Sequence, residues 1–269
     1  MTEDHTPKMG RYSAGWRRFL YRFFANSYFR RKVTTPDGAC AVYVSPGAQL
    51  NVLRPSGVRV DPVHTRFIAR WVKEDSVVWD VRGNIGLFSF PVALKARRGQ
   101  VYAFEPDITL AYNLLRSKRL AVNQGLPITL MPFALSNTDD IAEFLIAAYG
   151  NSMNKLAGVG AWHDNLFVAS EKRTVVTLRI DSIARHLRPP DVIKIDVEGA
   201  EMLVLEGGKE TIAKSRPVML IECPKELGPA MKAYLKELDY VMVDGFADDP
   251  VLIDEIAWDT VAIPRERWK

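Results

Sequence analysis

From Val77 onward, short apolar runs alternate with segments whose apolar residues recur at helical spacing, the order a parallel α/β sheet requires. The runs read as strands at Val77–Val81, Gln100–Glu105, Ile128–Phe133, Val192–Asp196, Val218–Glu222, Tyr240–Val243 and Thr260–Ile263. Helical spacing fits Leu87–Lys95, Thr109–Gln124, Ala200–Lys214 and Pro229–Glu237 between most of them. The alternation breaks over residues 139–180, where strand-like Ile141–Ala147 and Arg173–Ile180 flank a polar loop. The pattern predicts a doubly wound α/β sheet over residues 61–269, without internal repeats.

Two further segments precede this unit. Residues 33–60 hold β-rich pieces, Ala41–Val44 and Leu50–Leu53, broken by Pro36, Asp37-Gly38, Pro46-Gly47 and Ser56-Gly57, which suggests a small hairpin sheet. Asp61 and Pro62 then look like the N-cap and first position of a helix carrying Phe67, Ile68 and Trp71. Residues 1–32 form an arm in which Trp16, Phe19, Leu20, Phe23 and Phe24 make a helical apolar stripe, with Arg17, Arg18 and Arg22 off it. Two readings of the arm stand: a helix docked on the body or on a second copy of the chain, or an interfacial helix on an anionic membrane through residues 13–30. Arginine interrupts every apolar run of the arm, so it reads as neither a membrane span nor a signal peptide.

Charge changes the picture of the partners. The arm carries eight Lys or Arg against two acids, so a whole-chain net charge of +4 leaves the remainder at −2. The body is therefore not read as a nucleic-acid surface. At 269 residues, 48% hydrophobic and 25% charged, the chain has an ordinary globular composition. Cys40 and Cys223 lie far apart and form no metal or disulfide pattern, so a reducing cytoplasm fits best.

The candidate chemistry starts at Val77–Gly86, V-V-W-D-V-R-G-N-I-G. An apolar run ends at an acid, Asp80, and a glycine-bearing turn with Gly83, Asn84 and Gly86 leads into a helix, the way a parallel sheet presents backbone N–H groups to a cofactor. Glu105 ends the next strand beside it, and its carboxylate can accept from both hydroxyls of a ribose. An acid at Asp80 would repel a pyrophosphate and suits a ligand bearing an ammonium group. The glycine fingerprint of a dinucleotide and the lysine of a phosphate loop are both missing, which disfavours an NAD-dependent oxidoreductase and phosphoryl transfer. S-adenosylmethionine has the ammonium, the ribose and no phosphate.

The motifs V-V-W-D-V-R-G-N-I-G-L-F-S, V-Y-A-F-E-P-D, F-A-L-S, T-L-R-I-D-S-I, D-V-I-K-I-D-V-E-G-A-E-M-L-V-L-E-G-G and P-V-M-L-I-E, in this order over roughly residues 61–225, resemble the FkbM family of S-adenosylmethionine-dependent methyltransferases. The resemblance implies a class I methyltransferase (Rossmann-like) fold, a seven-stranded sheet with its last strand antiparallel. It also implies methyl transfer, usually to a hydroxyl on a sugar, glycan or natural product. It carries Pro106, Phe133 and Ala134 onto the cofactor beside Asp80, Arg82, Gly83, Asn84, Gly86 and Glu105. The family's first motif usually reads D-V-G-A-N-I-G, so here Arg82 replaces its first glycine.

Asp196 ends the fourth core strand at the topological switch point, and Glu198 lies in the turn that follows; both are candidate catalytic acids, as proton acceptors or as cofactor and loop anchors. Glu201 reads as a first-turn acid favoured by the helix dipole. Asp196, Glu198 and Glu222 could be imagined around magnesium, but no metal is expected. His163 lies in the polar loop, while His5, His64 and His186 have no supporting context. The insertion from Asn137 to Arg173, with Tyr149-Gly150-Asn151-Ser152, is a candidate acceptor-recognition loop or an idle excursion.

A side chain at position 82 costs on the order of 1 to 3 kcal/mol if the turn needs positive φ there. Two outcomes follow: Gly83 takes over the special geometry while Arg82 pairs with Asp80 or the cofactor's carboxylate, or cofactor binding is weakened or lost. The expected function is thus a methyltransferase acting on a hydroxyl acceptor, with a methyltransferase-like binding protein as the alternative.

Overall fold

A computed structural model of the chain describes residues 27–45, 58–148, 153–159 and 168–268. Most of the arm, Leu50–Leu53, Tyr149–Ser152 and His163 lie outside the described residues. The described chain opens on an antiparallel hairpin, β1 (Phe29–Thr35) and β2 (Gly38–Val44), then enters helix α1 (Pro62–Trp71). There follow β3 (Val77–Val81), α2 (Ser89–Lys95), β4 (Gln100–Phe104), α3 (Ile108–Lys118) and β5 (Ile128–Met131). The insertion supplies β6 (Ala134–Leu135), β7 (Asp140–Ala147), β8 (Lys155–Leu156) and β9 (Ala169–Leu178). After the short helix α4 (Ile180–Ile183) come β10 (Val192–Ile195), α5 (Glu201–Glu206), α6 (Lys209–Ser215), β11 (Val218–Glu222), α7 (Gly228–Glu237), β12 (Tyr240–Asp244) and β13 (Asp259–Pro264).

All seven predicted strands join one sheet in the order β12-β13-β11-β10-β3-β4-β5. The pairs from β11 to β5 are parallel, and β13 runs antiparallel between β11 and β12. The order reverses at β3 and β10, so the carboxyl ends of these two strands open the crevice where such sheets place ligands. Apolar side chains cover both faces, as parallel strands require. Val78 packs with Phe67, Phe90 and Leu114 on one face, and Trp79 with Ile193, Leu205 and Tyr234 on the other.

The strands end earlier than their apolar runs suggest. β4 stops at Phe104 and β5 at Met131, leaving Glu105 and Phe133 outside; β5 stops directly before Pro132 and β4 two residues before Pro106, and neither proline has an N–H for the ladder. β3 runs one residue past Asp80, and β10 stops one short of Asp196.

Two predicted helices are broken for physical reasons. The Ala200–Lys214 segment splits into α5 and α6 around Gly207, where a Cβ would stand 2.0 Å from the Ser136 carbonyl oxygen. The Thr109–Gln124 segment ends its α-helix at Lys118 and continues as a 3-10 turn, Ala121–Asn123. That turn aims buried Asn123 at the hairpin, where its Nδ2 donates to the Ala41 carbonyl at 2.6 Å and its Oδ1 accepts from the Ala41 amide at 3.1 Å.

The hairpin is part of the main core. Val33, Cys40, Val42 and Val44 are fully buried in the same cluster as Val78 and Phe90. β1 begins at Phe29, so the last residues assigned by sequence to the basic arm belong to this hairpin; their burial alternates with the two-residue period of a strand. Above the carboxyl edge of the main sheet, β6, β9, β7 and β8 form a second sheet with its own small core around Phe144, Ile146, Leu156 and Val175.

Candidate active site

The turn after β3 is held to β4 by backbone hydrogen bonds, with the Phe104 carbonyl accepting from both the Arg82 amide (2.9 Å) and the Gly83 amide (2.8 Å). Arg82 itself takes the left-handed conformation at φ 73°, and Gly83 does not. The expectation that Gly83 would absorb the special geometry is therefore corrected: the two amides share one carbonyl, and the chain reverses at position 82. Asn84 follows at φ 50°, with its Oδ1 accepting from the Ile85 amide, a local bond that suits asparagine to this region. At Gly86, φ 89°, a Cβ would also lie 2.6 Å from the Phe90 ring, so only glycine fits.

Helix α2 starts at Ser89, two residues later than the predicted Leu87. Asp80 is fully buried beneath the turn and accepts a short hydrogen bond from Ser89 Oγ. Its Oδ1 has no hydrogen-bond partner, and Lys194 Nζ stands 3.9 Å away. Burial raises the Asp80 carboxyl above its ordinary range against the pull of Lys194.

Among the described residues the arginine pairs not with Asp80 but with the two acids that follow β10. Its Nη1 reaches across to β10, 3.2 Å from Asp196 Oδ1 and 3.1 Å from Glu198 Oε1. This corrects the expected Asp80 pairing, since Asp80 is buried and bonded to Ser89 while the Arg82 side chain is taken up by Asp196 and Glu198. The other oxygen of Asp196 accepts from Lys194 Nζ at 2.8 Å, so Asp196 is clamped between two cations. Burial opposes its ionisation, but Lys194 and then Arg82 prevail and hold the carboxyl below the usual range. Glu198 differs, because burial outweighs Arg82 and its carboxyl is raised. The two acids therefore shift in opposite directions, Asp196 down and Glu198 up.

Glu198 (φ 57°) and Gly199 (φ 101°) form a tight turn before α5. Glu201 closes it, with its carboxylate accepting from the amides of Val197 and Gly199, each at 3.1 Å. That makes Glu201 a structural acid, as its first-turn position suggests; burial pushes its carboxyl up to about 7. Glu222 accepts from Trp258 Nε1 at 2.8 Å. Among the described residues no set of three His, Cys, Asp or Glu side chains is disposed to hold a metal ion.

Glu105 is 1% exposed, and its two oxygens accept from the amides of Asn84 (2.7 Å) and Asp107 (2.8 Å). Burial pushes its carboxyl up to about 7, with Arg82 pulling the other way. Beside it a small pocket, open to solvent, lies between the main sheet's carboxyl edge and the second sheet. Arg82, Pro106, Phe133 and Ala134 line it, together with Phe144, Asn154 and Leu156 from the insertion. Four residues from three separate motifs thus face one cavity.

Lys194 was not singled out in the sequence, although a signal was there: in a strand, positions 194 and 196 point to the same side. His64 was also passed over. It packs edge-on against Phe88 at 5.1 Å, within electrostatic reach of Lys194 and Asp196, and burial lowers its pKa to about 4.

The chain is 27% identical to methyltransferase sdnD of Sordaria araneosa over 187 residues, 59% of this chain and 71% of that protein. It is 28% identical over 145 residues to hexuronic acid methyltransferase AglP of Haloferax volcanii, covering 53% of this chain and 54% of the relative. The crystal structure of methyltransferase FkbM from Methylobacillus flagellatus superposes with a TM-score of 0.51 and 17% identity, over 75% of this chain and 47% of that one, a likeness of fold. The match spans about half the length of the last two proteins. The methyltransferase FkbM domain model matches residues 80–242, from Asp80 through the second sheet to β12. The chain belongs to the FkbM family of S-adenosylmethionine-dependent methyltransferases.

Proposed function

We propose that the protein methylates a hydroxyl group of a polyhydroxylated small molecule or glycan, with the cofactor in the pocket beside Glu105 and the acceptor near Glu198. One observation carries this reading: Arg82, Asp196 and Glu198 meet at the switch point, next to a pocket whose walls include Pro106, Phe133 and Ala134. The residues fit the cofactor. Apolar walls from Phe104, Phe133, Phe144 and Leu156 suit a purine and Arg82 suits a carboxylate, while Glu105, 1% exposed behind the lining residues Phe104 and Pro106, has acceptor capacity beyond its two amide bonds. Asp80, Gly83, Asn84 and Gly86 shape the turn under the cofactor rather than reach into the pocket.

S-adenosylmethionine supplies, when bound, a methyl group on a positively charged sulfur. The protein's own part is positioning and proton removal. Glu198 takes the hydroxyl proton, since its carboxyl is raised and, among the described residues, only its Oε1 accepts a hydrogen bond, from Arg82. Asp196, fixed by Lys194 and Arg82, anchors the turn that presents Glu198. A hexuronic acid, the substrate named for AglP, is a polyhydroxylated sugar, which supports this acceptor class. Free, buried Cys40 and Cys223, their thiols pushed up to about 12 by burial, support a reducing cytoplasmic setting. For the arm, residues 13–30 are proposed to contact either a membrane surface or a second copy; no described helix is long and apolar enough to cross a membrane.

The alternative, a binding protein that has lost its cofactor, has one observation on its side: the Arg82 side chain lines the pocket. Calorimetric titration of wild type and Arg82→Gly with S-adenosylmethionine, followed by transfer of labelled methyl to hexuronic acids, decides between them. Heat and transfer from wild type support the enzyme. Heat from Arg82→Gly alone supports the alternative, and heat from neither overturns the placement of the cofactor in this pocket.

A further inference from the structure

Leu156, Phe144 and Arg173 lie side by side across β8, β7 and β9, each directly opposite the next in register. Leu156 and Phe144 line the pocket, so this row is part of its roof. The third member is anchored. Arg173 Nη1 donates to Asp107 Oδ1 at 2.9 Å, and its Nε and Nη2 donate to the two oxygens of Glu171 at 2.8 and 2.7 Å.

Asp107 is an unusually loaded residue. Its Oδ1 also caps α3 by accepting from the Thr109 amide at 2.7 Å, and its Oδ2 accepts from Asn154 Nδ2 at 2.8 Å. Asn154, itself buried at the pocket, accepts in turn from the Ala147 amide at the end of β7. On its other side the Asp107 amide donates to Glu105 Oε1. One continuous set of bonds therefore runs from the Asn84 turn through Glu105 and Asp107 to both long strands of the roof.

We propose that Arg173 is a positioning residue: through Asp107 it seats the second sheet as the roof of the cofactor pocket and so sets affinity for S-adenosylmethionine. The inference rests on the reading that this pocket holds the cofactor. No side chain of the latch touches the reacting atoms, so its loss should appear in cofactor binding and not in the chemical step. A charge-assisted hydrogen bond from a partly exposed arginine to a buried carboxylate corresponds to a change of about tenfold in affinity.

The test compares full-length wild type, Arg173→Met and Arg173→Lys by calorimetric titration with S-adenosylmethionine, by kcat and KM for the cofactor, and by amide exchange at Ala147 and Leu156. Expected for Arg173→Met are Kd and KM raised about tenfold with kcat at saturation little changed, partial recovery in Arg173→Lys, and faster exchange at Ala147 in the absence of ligand. Amide exchange in ligand-free Arg173→Met reads the latch alone, and wild-type protection there overturns the inference whatever the cofactor does. Wild-type Kd in Arg173→Met also overturns it, and so does a loss confined to kcat. Should Arg173→Met fail to fold, Arg173→Lys with unchanged Kd and exchange is the overturning result. A wild type that binds no cofactor overturns the pocket reading, and the inference with it.

Discussion

Arg82 at φ 73° and Glu198 at φ 57° both hold the left-handed backbone, and their side chains meet at 3.1 Å across the gap between β3 and β10. Each conformation costs on the order of 1 to 3 kcal/mol in a residue with a Cβ. The strain is offset by a charge arrangement available only if both turns are held: a guanidinium 6% exposed, against two carboxylates. Removing the guanidinium leaves those acids under-compensated, a loss of about 3 to 5 kcal/mol. Arg82→Gly relieves the strain and loses the pairs, a net destabilisation of about 2 kcal/mol. Arg82→Met loses the pairs and keeps the strain. Chemical denaturation should therefore rank wild type above Arg82→Gly and Arg82→Gly above Arg82→Met; Arg82→Gly at or above wild type would show that the pairs contribute little.

Glu198 predicts a specific dependence of rate on pH. With its carboxyl raised by burial, Glu198 is protonated at acid pH and takes up its role as pH rises. The rate should climb through a single ionisation lying above the ordinary carboxylate range. Glu198→Gln removes that limb and lowers kcat about a hundredfold or more. A pH–rate profile of Glu198→Gln that still shows the limb would move the proton acceptor elsewhere.

How much of this was legible beforehand depends on the range of the interaction. The seven strands were readable because burial on both faces gives near-continuous apolar runs, whereas Pro106, Phe133 and Ala134, which line the pocket, were reached through the family resemblance and not through the runs. The position of Arg82 was readable as an anomaly. Its partners were not, since the Arg82 to Asp196 contact joins residues 114 apart. The break at Gly207 depends on a single carbonyl, Ser136, belonging to another strand end. The latch at Arg173 was hidden for the same reason: its significance lies in Asp107, 66 residues away.

Lys194 and Asp80 should behave as one electrostatic unit. Lys194 is buried, 2.8 Å from Asp196 Oδ2 and 3.9 Å from an Asp80 oxygen that has no hydrogen-bond partner. Burial disfavours its charge, yet Asp196 and Asp80 together raise its pKa. Lys194→Met strands two buried acids and should cost about 3 to 5 kcal/mol. Asp80→Asn in the same chain removes one of them, so the double variant should be more stable than Lys194→Met alone. Additive losses in a double-mutant cycle would mean that the two groups do not sense one another.

Gly207 tests why α5 and α6 are separate helices. A Cβ there would stand 2.0 Å from the Ser136 carbonyl oxygen, and backbone cannot swing aside as a side chain does. Gly207→Ala should destabilise by about 3 kcal/mol or more, although alanine favours helix. At Gly125 a Cβ meets nothing within 4 Å, and only φ 79° opposes it, so Gly125→Ala should cost about 1 kcal/mol. Equal losses at the two positions would contradict the steric account.

Stability should also depend on pH through Glu222. Burial, with Asp196 and Asp259 adding to it, pushes this carboxyl from the ordinary 4.5 up to about 9. Between those values the folded chain keeps a proton that the unfolded chain has released. Stability from this group is therefore complete below pH 4.5 and falls as pH rises toward 9. Glu222→Gln keeps an oxygen to accept from Trp258 Nε1 and has no proton to lose, so its melting temperature should decline less steeply over the same interval. Parallel melting curves for the two proteins across that range would place the Glu222 carboxyl back among ordinary surface acids.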